Sequence, residues 1–135
     1  MDFFVDVPLR VRYAETDRMG IVYYGSYPAY LEVARSEYMR EKGLPYKNLE
    51  EMGFGLVVAG MEVKYLNPAL YDDLLVIRTS VAEVQSRGVT FSYAIFRDET
   101  SIVQARTRHI CVDADRRPRR LPSSLVEILK NGSAA

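Results

Sequence analysis

Few side chains in this 135-residue sequence could carry chemistry, and the missing types narrow the field first. There is one histidine, His109, and one cysteine, Cys111, so any serine or cysteine nucleophile activated by histidine would have to work through His109. That residue falls inside a strand pattern, on one face with Val103, Ala105, Thr107 and Cys111, where a histidine is ordinarily a hydrogen-bonded structural residue. No His-x-x-x-His, no Cys-x-x-Cys and no tight carboxylate cluster occurs, so no metal site is expected. Gly53-Phe54-Gly55 has the look of a dinucleotide loop, but position 58 is valine and a strand follows; no cofactor is expected. A lone Cys111 cannot close an internal disulfide and reads as a buried, reduced side chain.

Carboxylates remain, and Asp17 is the best placed of them. It lies in a long connection that also holds Ile21, Val22, Tyr23 and Tyr24, which gain by burial, so the loop should be packed. Asp17 followed by Gly20 is also ordinary turn chemistry, and local sequence alone favours the turn. The connection leads into a helix, however. The helix start at Gly25 to Pro28, with free backbone N–H groups on its non-proline residues and the positive end of the helix dipole, could hold an oxyanion or a polarised carbonyl. A carboxylate beside such donors could perform acyl transfer without histidine.

The elements that must position these groups are legible from periodicity. Val7, Leu9, Val11 and Tyr13 alternate as a first strand over Val7 to Tyr13. Tyr27, Leu31, Ala34 and Tyr38 then recur at helical spacing, which predicts a helix from Tyr27 to Lys42 with Ser26 as N-cap, Pro28 in its first turn and Gly43 and Pro45 beyond its end. A short second helix could follow. Val57, Ala59, Met61, Val63 and Tyr65 alternate on one strand face until Asn67-Pro68. Leu74 to Val84, Val89 to Phe96 and Ile102 to Val112 read as three strands with tight turns, an antiparallel meander, and Leu125 to Leu129 as a short closing helix. One strand, one long helix and four more strands imply an α+β layer fold with the helix over one face of an antiparallel sheet.

Composition agrees with a single domain over residues 1–130 and a frayed tail at 131–135, since no linker-like tract divides the chain. Lysine and arginine balance aspartate and glutamate at 18 each, so nothing suggests a nucleic-acid partner. The acidic start M-D-F-F-V-D resembles neither a secretory signal nor a membrane span, which predicts a cytoplasmic protein without an integral membrane segment.

Taken together, V-R-Y-A-E-T-D-R-M-G-I-V-Y-Y-G-S-Y-P-A-Y-L-E-V-A-R-S-E-Y-M-R at residues 11–40, V-K-Y-L-N-P-A-L-Y-D-D-L-L-V at 63–76 and, more loosely, H-I-C-V-D at 109–113 resemble the hotdog-fold acyl-CoA thioesterases of the 4-hydroxybenzoyl-CoA thioesterase family. The resemblance implies a long central helix wrapped by a curved antiparallel sheet of about five strands, with two protomers pairing their sheets and acyl sites at their interface. It implies an acyl-CoA substrate, with Asp17 as nucleophile or base and the backbone N–H of Tyr24 or its neighbour polarising the thioester carbonyl. Gly25 and Tyr27 fall at the same site. Many relatives carry histidine where this chain has Tyr24, whereas the 4-hydroxybenzoyl branch has tyrosine.

Other residues carry two readings. Glu32 is either a second carboxylate or a partner of Arg35 or Ser36 on the helix surface. Arg117, Arg119 and Arg120, in the one dense basic run, either contact the phosphates of coenzyme A or form a solvated loop. A homodimer or homotetramer is expected, because a small sheet leaves an exposed edge. The alternative to a thioesterase is a non-catalytic hotdog module that binds an acyl group or acyl carrier protein; Asp17 discriminates, since a binder has no need of a carboxylate at the thioester.

Overall fold

The computed structural model describes residues 3–130. The elements are β1 (Val5–Arg10), α1 (Tyr27–Glu41), α2 (Tyr46–Glu51), β2 (Gly55–Tyr65), β3 (Leu74–Val84), β4 (Gly88–Arg97), β5 (Thr100–Val112) and α3 (Ser123–Lys130). All strand pairs are antiparallel, in the spatial order β1-β3-β4-β5-β2. The meander β3-β4-β5 forms as its short turns require, while β1 and β2, which flank the helix in sequence, occupy opposite edges. The frayed-tail expectation falls on 131–135, outside the described residues.

Helix α1 follows its periodicity closely. Tyr27, Leu31, Ala34 and Tyr38 are buried, joined by Tyr30 and Met39, so the stripe is wide enough to be covered by the sheet's inner face. Facing it are Leu75 and Ile77 of β3, Phe91 and Ile95 of β4 and Val103 and Cys111 of β5, in one buried cluster. The helix stops at Glu41, with Lys42 as its C-cap and Gly43 at a positive φ.

Three local expectations change. The first strand ends at Arg10, and Tyr13 sits on a 3₁₀ turn with most of its surface exposed: Val11 N–H still bonds to Asp73 O beyond the strand, and the chain then turns at Tyr13–Glu15, closed by Glu15 N–H to Arg12 O. Ser26 caps nothing with its side chain: a 3₁₀ turn at Tyr24–Ser26 runs straight into α1, and the hydroxyl donates instead to Glu15 O at 3.1 Å. The alternation in β2 is broken by a bulge. Met61, Val63 and Tyr65 stand opposite Thr107, Ala105 and Val103, but the register shifts between Val58 and Gly60, so Leu56 and Val58 face Cys111 and His109 and Val57 turns to the other side.

Candidate active site

The connection from β1 to α1 is held by backbone bonds. Thr16 bridges Val22, Ile21 bridges Leu70, Val22 N–H donates to Ala69 O and Tyr23 N–H to Glu15 O. Within it Asp17 N–H donates to Ile21 O, Gly20 N–H returns to Asp17 O, and Met19 N–H donates to Asp17 Oδ1 at 2.8 Å. Gly20 takes φ +80°, a conformation that favours glycine. Asp17 is therefore a turn residue, as its local sequence says. Its second oxygen, Oδ2, has no partner among the described residues.

That carboxylate lines a groove of about 420 Å³ with Val22, Tyr24, Tyr27, Tyr65 and Pro68, so apolar and aromatic surface surrounds one acid. The 3₁₀ turn supplies the groove's other polar groups. Its first bond runs from Ser26 N–H to Tyr23 O, which leaves the N–H groups of Tyr24 and Gly25 with no acceptor inside the turn. Gly25 also makes room for its neighbour: a Cβ there would meet the Tyr23 ring at 2.6 Å. Tyr27 is buried, and burial, with Tyr65 adding to it, pushes its hydroxyl up to about 12, so it serves as a neutral wall.

Glu15, two residues before Asp17, has a role the sequence did not single out. Its side chain accepts from Arg12 N–H and guanidinium and from Tyr30 OH at 2.8 Å, while its carbonyl takes Tyr23 N–H and the Ser26 hydroxyl. Burial pushes the Glu15 carboxyl up, but the hydrogen bonds from Arg12 and Tyr30 outweigh it and hold the group below its ordinary value. One residue thus ties the loop to the buried stripe of α1. The available signal was the tyrosine within that stripe, which needs a buried partner for its hydroxyl.

The remaining candidates lie elsewhere. Arg117, Arg119 and Arg120 follow β5 at the Gly55 end of the β2–β5 ladder, whereas the groove is at its Tyr65 end, roughly 30 Å away at about 3.3 Å per residue. Within one protomer the run does not reach the groove. Arg119 Nε is also engaged, at 2.7 Å from Asp113 Oδ2. Glu32 is exposed on α1, beside a second cavity rather than the groove. His109 is buried and Cys111 is buried beside it on the same face. Among the described residues no three metal-ligating side chains cluster, and no helix is long and apolar enough to cross a membrane.

A long helix wrapped by a five-stranded antiparallel sheet is the architecture of hotdog-fold thioesterases. The chain belongs to the thioesterase-like superfamily, whose family model matches residues 11–129. It is 35% identical over 125 residues to the acyl-CoA thioester hydrolase YbgC of Escherichia coli, covering 91% of this chain and 93% of that protein. The DHNA-CoA thioesterase of Staphylococcus aureus superposes with a TM-score of 0.90 at 28% identity, over 93% of this chain and 88% of that one. The 4-hydroxybenzoyl CoA thioesterase of Pseudomonas sp. strain CBS-3 shares the fold, with a TM-score of 0.85 at 23% identity over 93% of this chain and 99% of that one. The protein is accordingly an enzyme, a thioester hydrolase, rather than a non-catalytic module.

Proposed function

We propose that the protein hydrolyses acyl-CoA thioesters to the free acid and coenzyme A, with Asp17 as the catalytic carboxylate. The observation that carries this reading is the unpartnered Asp17 Oδ2 in an apolar groove that also holds Tyr24, whose N–H is unpaired at the start of α1. The thioester carbonyl lies against the Tyr24 N–H, with the Gly25 N–H beside it, and negative charge developing on its oxygen is met by donors already in place. Tyr27 and Tyr65 line the groove on either side of the carboxylate and supply its aromatic walls.

Two routes use the same carboxylate. In the first, Asp17 Oδ2 attacks the carbonyl carbon, the C–S bond breaks, coenzyme A leaves as thiolate and takes up a proton, and water hydrolyses the mixed anhydride. In the second, Asp17 takes a proton from the attacking water. Direct attack needs no proton transfer to the carboxylate, whereas base catalysis works best with a pKa near the working pH.

The reading includes a homodimer, or a tetramer built from it. Val57, Val58, Met61 and Tyr65 on the edge strand β2 are each about half exposed, an apolar edge that a second copy would cover by antiparallel pairing. In such a pair the arginine run of one protomer lies toward the groove of the other, where Arg117 and Arg120 can meet coenzyme A phosphates.

The test is Asp17→Asn, which keeps the shape and removes the charge. Hydrolysis across a panel of acyl-CoAs and acyl-carrier-protein thioesters should fall by roughly 10² or more with folding and substrate binding retained. Near-normal turnover by the folded variant would sink the assignment. Single turnover in ¹⁸O-water bears on the routes: label in the Asp17 carboxylate marks direct attack with water opening the anhydride at the aspartyl carbonyl, and where label is in the released acid alone, trapping of an acyl-Asp17 adduct with hydroxylamine distinguishes direct attack from the base.

A further inference from the structure

The groove that holds Asp17 takes part of its wall from Tyr65, Leu66 and Pro68, where the chain leaves β2 for β3. This connection, residues 66–73, is folded onto one side chain of the β4–β5 hairpin. Arg97, the last residue of β4, donates from Nη1 to Pro68 O at 3.0 Å and to Asp73 Oδ2 at 2.8 Å, which uses both hydrogens of that nitrogen. Asp73 Oδ2 also accepts from Leu70 N–H at 2.8 Å, and Asp73 N–H donates back to Leu70 O. Pro68 and Asp73 are thereby drawn to one guanidinium.

The residues enclosed between those two anchors carry the Asp17 loop. Ala69 O accepts Val22 N–H at 2.8 Å, Leu70 bridges Ile21, and Ile21 O accepts Asp17 N–H at 2.9 Å. An unbroken series of contacts thus runs from Arg97 to the backbone of Asp17, and Ala69, in the middle of it, is fully buried. Asp72, next to the Asp73 anchor, sits at φ +71°, a conformation that a non-glycine residue keeps only where its surroundings impose it. The connection is therefore held in place by its neighbours rather than by its own preferences.

Arg97 and Asp73 form the most withdrawn ion pair among the described residues, with side chains 31% and 21% exposed; in every other pair one partner is at least 47% exposed. Salt and solvent weaken such a pair less than an exposed one. The charge of Arg97 also reaches the groove: burial and Tyr65 push the Tyr27 hydroxyl up, and Arg97 draws it back.

We propose that Arg97 is a positioning residue for the hydrolysis: paired with Asp73, it fixes the 66–73 connection and, through Ala69 and Leu70, sets where Asp17 stands relative to the Tyr24 N–H. This rests on the reading of Asp17 as the catalytic carboxylate. Either route demands close alignment of that carboxylate, and a displacement of about 1 Å caused far from the chemistry can cost roughly 10² in rate. Removing the guanidinium frees Pro68 O and leaves Asp73 Oδ2 with Leu70 N–H alone, so the connection relaxes at the residues that hold Val22 and Ile21.

The experiment measures kcat, KM and urea unfolding for Arg97→Met, Arg97→Lys and Asp73→Asn, with the acyl-CoA that the parent hydrolyses best. Arg97→Met keeps the stem and removes the donors and the charge; its kcat should fall by roughly tenfold, with KM changed much less. Arg97→Lys restores a charged donor and should recover most of the loss. Because Arg97 acts through Asp17, Arg97→Met should cost no further turnover in the Asp17→Asn background, whereas its effect on the unfolding midpoint should be the same in both backgrounds. A purely structural residue would lower the midpoint and leave kcat of the folded protein at the parent's value, and that result overturns the inference. So does an equal further loss of turnover in the Asp17→Asn background. Should Arg97→Met not fold, Asp73→Asn decides: it weakens the tie while keeping an oxygen acceptor and should lower kcat a few-fold, and a kcat equal to the parent's rejects the proposal. Near-normal turnover by Asp17→Asn itself overturns the catalytic reading, and the role of Arg97 with it; an inactive Asp17→Asn beside a fully active Arg97→Met overturns this inference alone.

Discussion

Asp17 and Asp113 are the same turn built twice. Each donates its N–H to a carbonyl four residues on, Ile21 or Arg117, and accepts at its own carbonyl from the residue three on, Gly20 or Arg116. Each takes the N–H two residues on at Oδ1, at 2.8 Å in both cases, and each turn passes through positive φ, +80° at Gly20 and +63° at Arg116. The difference lies in the second oxygen. Asp113 Oδ1 also accepts from Arg117 N–H, and Oδ2 accepts from Arg119 Nε, so both oxygens of that carboxylate are engaged; Asp17 lines an apolar groove, and its Oδ2 has no partner among the described residues. The turn reading and the proposed catalytic role of Asp17 are therefore compatible, because the turn uses one oxygen and leaves the other without a partner among the described residues.

The sharpest way to break the comparison is to make the same substitution at both turns. Asp17→Asn should lose roughly 10² or more of turnover with its thermal midpoint little changed, whereas Asp113→Asn should lower the midpoint and keep turnover near the parent's. Parallel losses in both assays would mean that the two carboxylates do the same job.

Support for the Asp17 turn comes from Glu15 and Tyr30, which the Asp113 turn lacks. Tyr30→Phe removes the buried hydrogen bond to Glu15 Oε1 and should cost about 1 kcal/mol of stability. Turnover should fall by up to roughly tenfold through loss of alignment, and steady-state kinetics beside urea unfolding reads both. A stability loss without any kinetic loss would make Glu15 purely structural.

Acid separates the turns in another way. The backbone N–H of Arg117 and the side chain of Arg119 hold the Asp113 carboxyl below the ordinary carboxylate range. With the folded value below the unfolded one, this stabilisation is present above the unfolded pKa, near ~3.9 for a free aspartate, and is lost as pH falls through the folded value. The stability gap between parent and Asp113→Asn should therefore be full at neutrality and close in strong acid. A gap that is constant with pH would assign the loss to packing.

The smallest expected effect concerns the arginines around the Asp113 turn. Replacing Arg117 and Arg120 with alanine should raise KM for acyl-CoA by roughly two- to tenfold and lower kcat less, because phosphate contacts hold ground and transition states alike. Salt should mimic the change in the parent. An unmoved KM would leave the run as solvated loop, with Arg119 occupied by Asp113.

The sequence by itself determined what local forces control. The stripe of α1, the three strands of the meander and the turn at Asp17 follow from periodicity and from glycine's freedom at positive φ, and the motif blocks pointed to the thioesterase fold before any coordinates. What it left open depends on contacts between distant segments. A bulge at Ala59 inverts half of β2, because the strand follows its partner β5 rather than its own alternation. His109 shares the expected face but is only half satisfied, since Thr107 reaches one nitrogen and no hydrogen-bond partner among the described residues reaches the other. Nor could spacing place the arginine run at the far end of the β2–β5 ladder from Asp17, or choose between two aspartates with identical turns. Hydrogen bonds within a turn span a few residues and can be read in order along the chain; the partner of a carboxylate's second oxygen is set by whichever segment folds against it, and only the tertiary structure decides that.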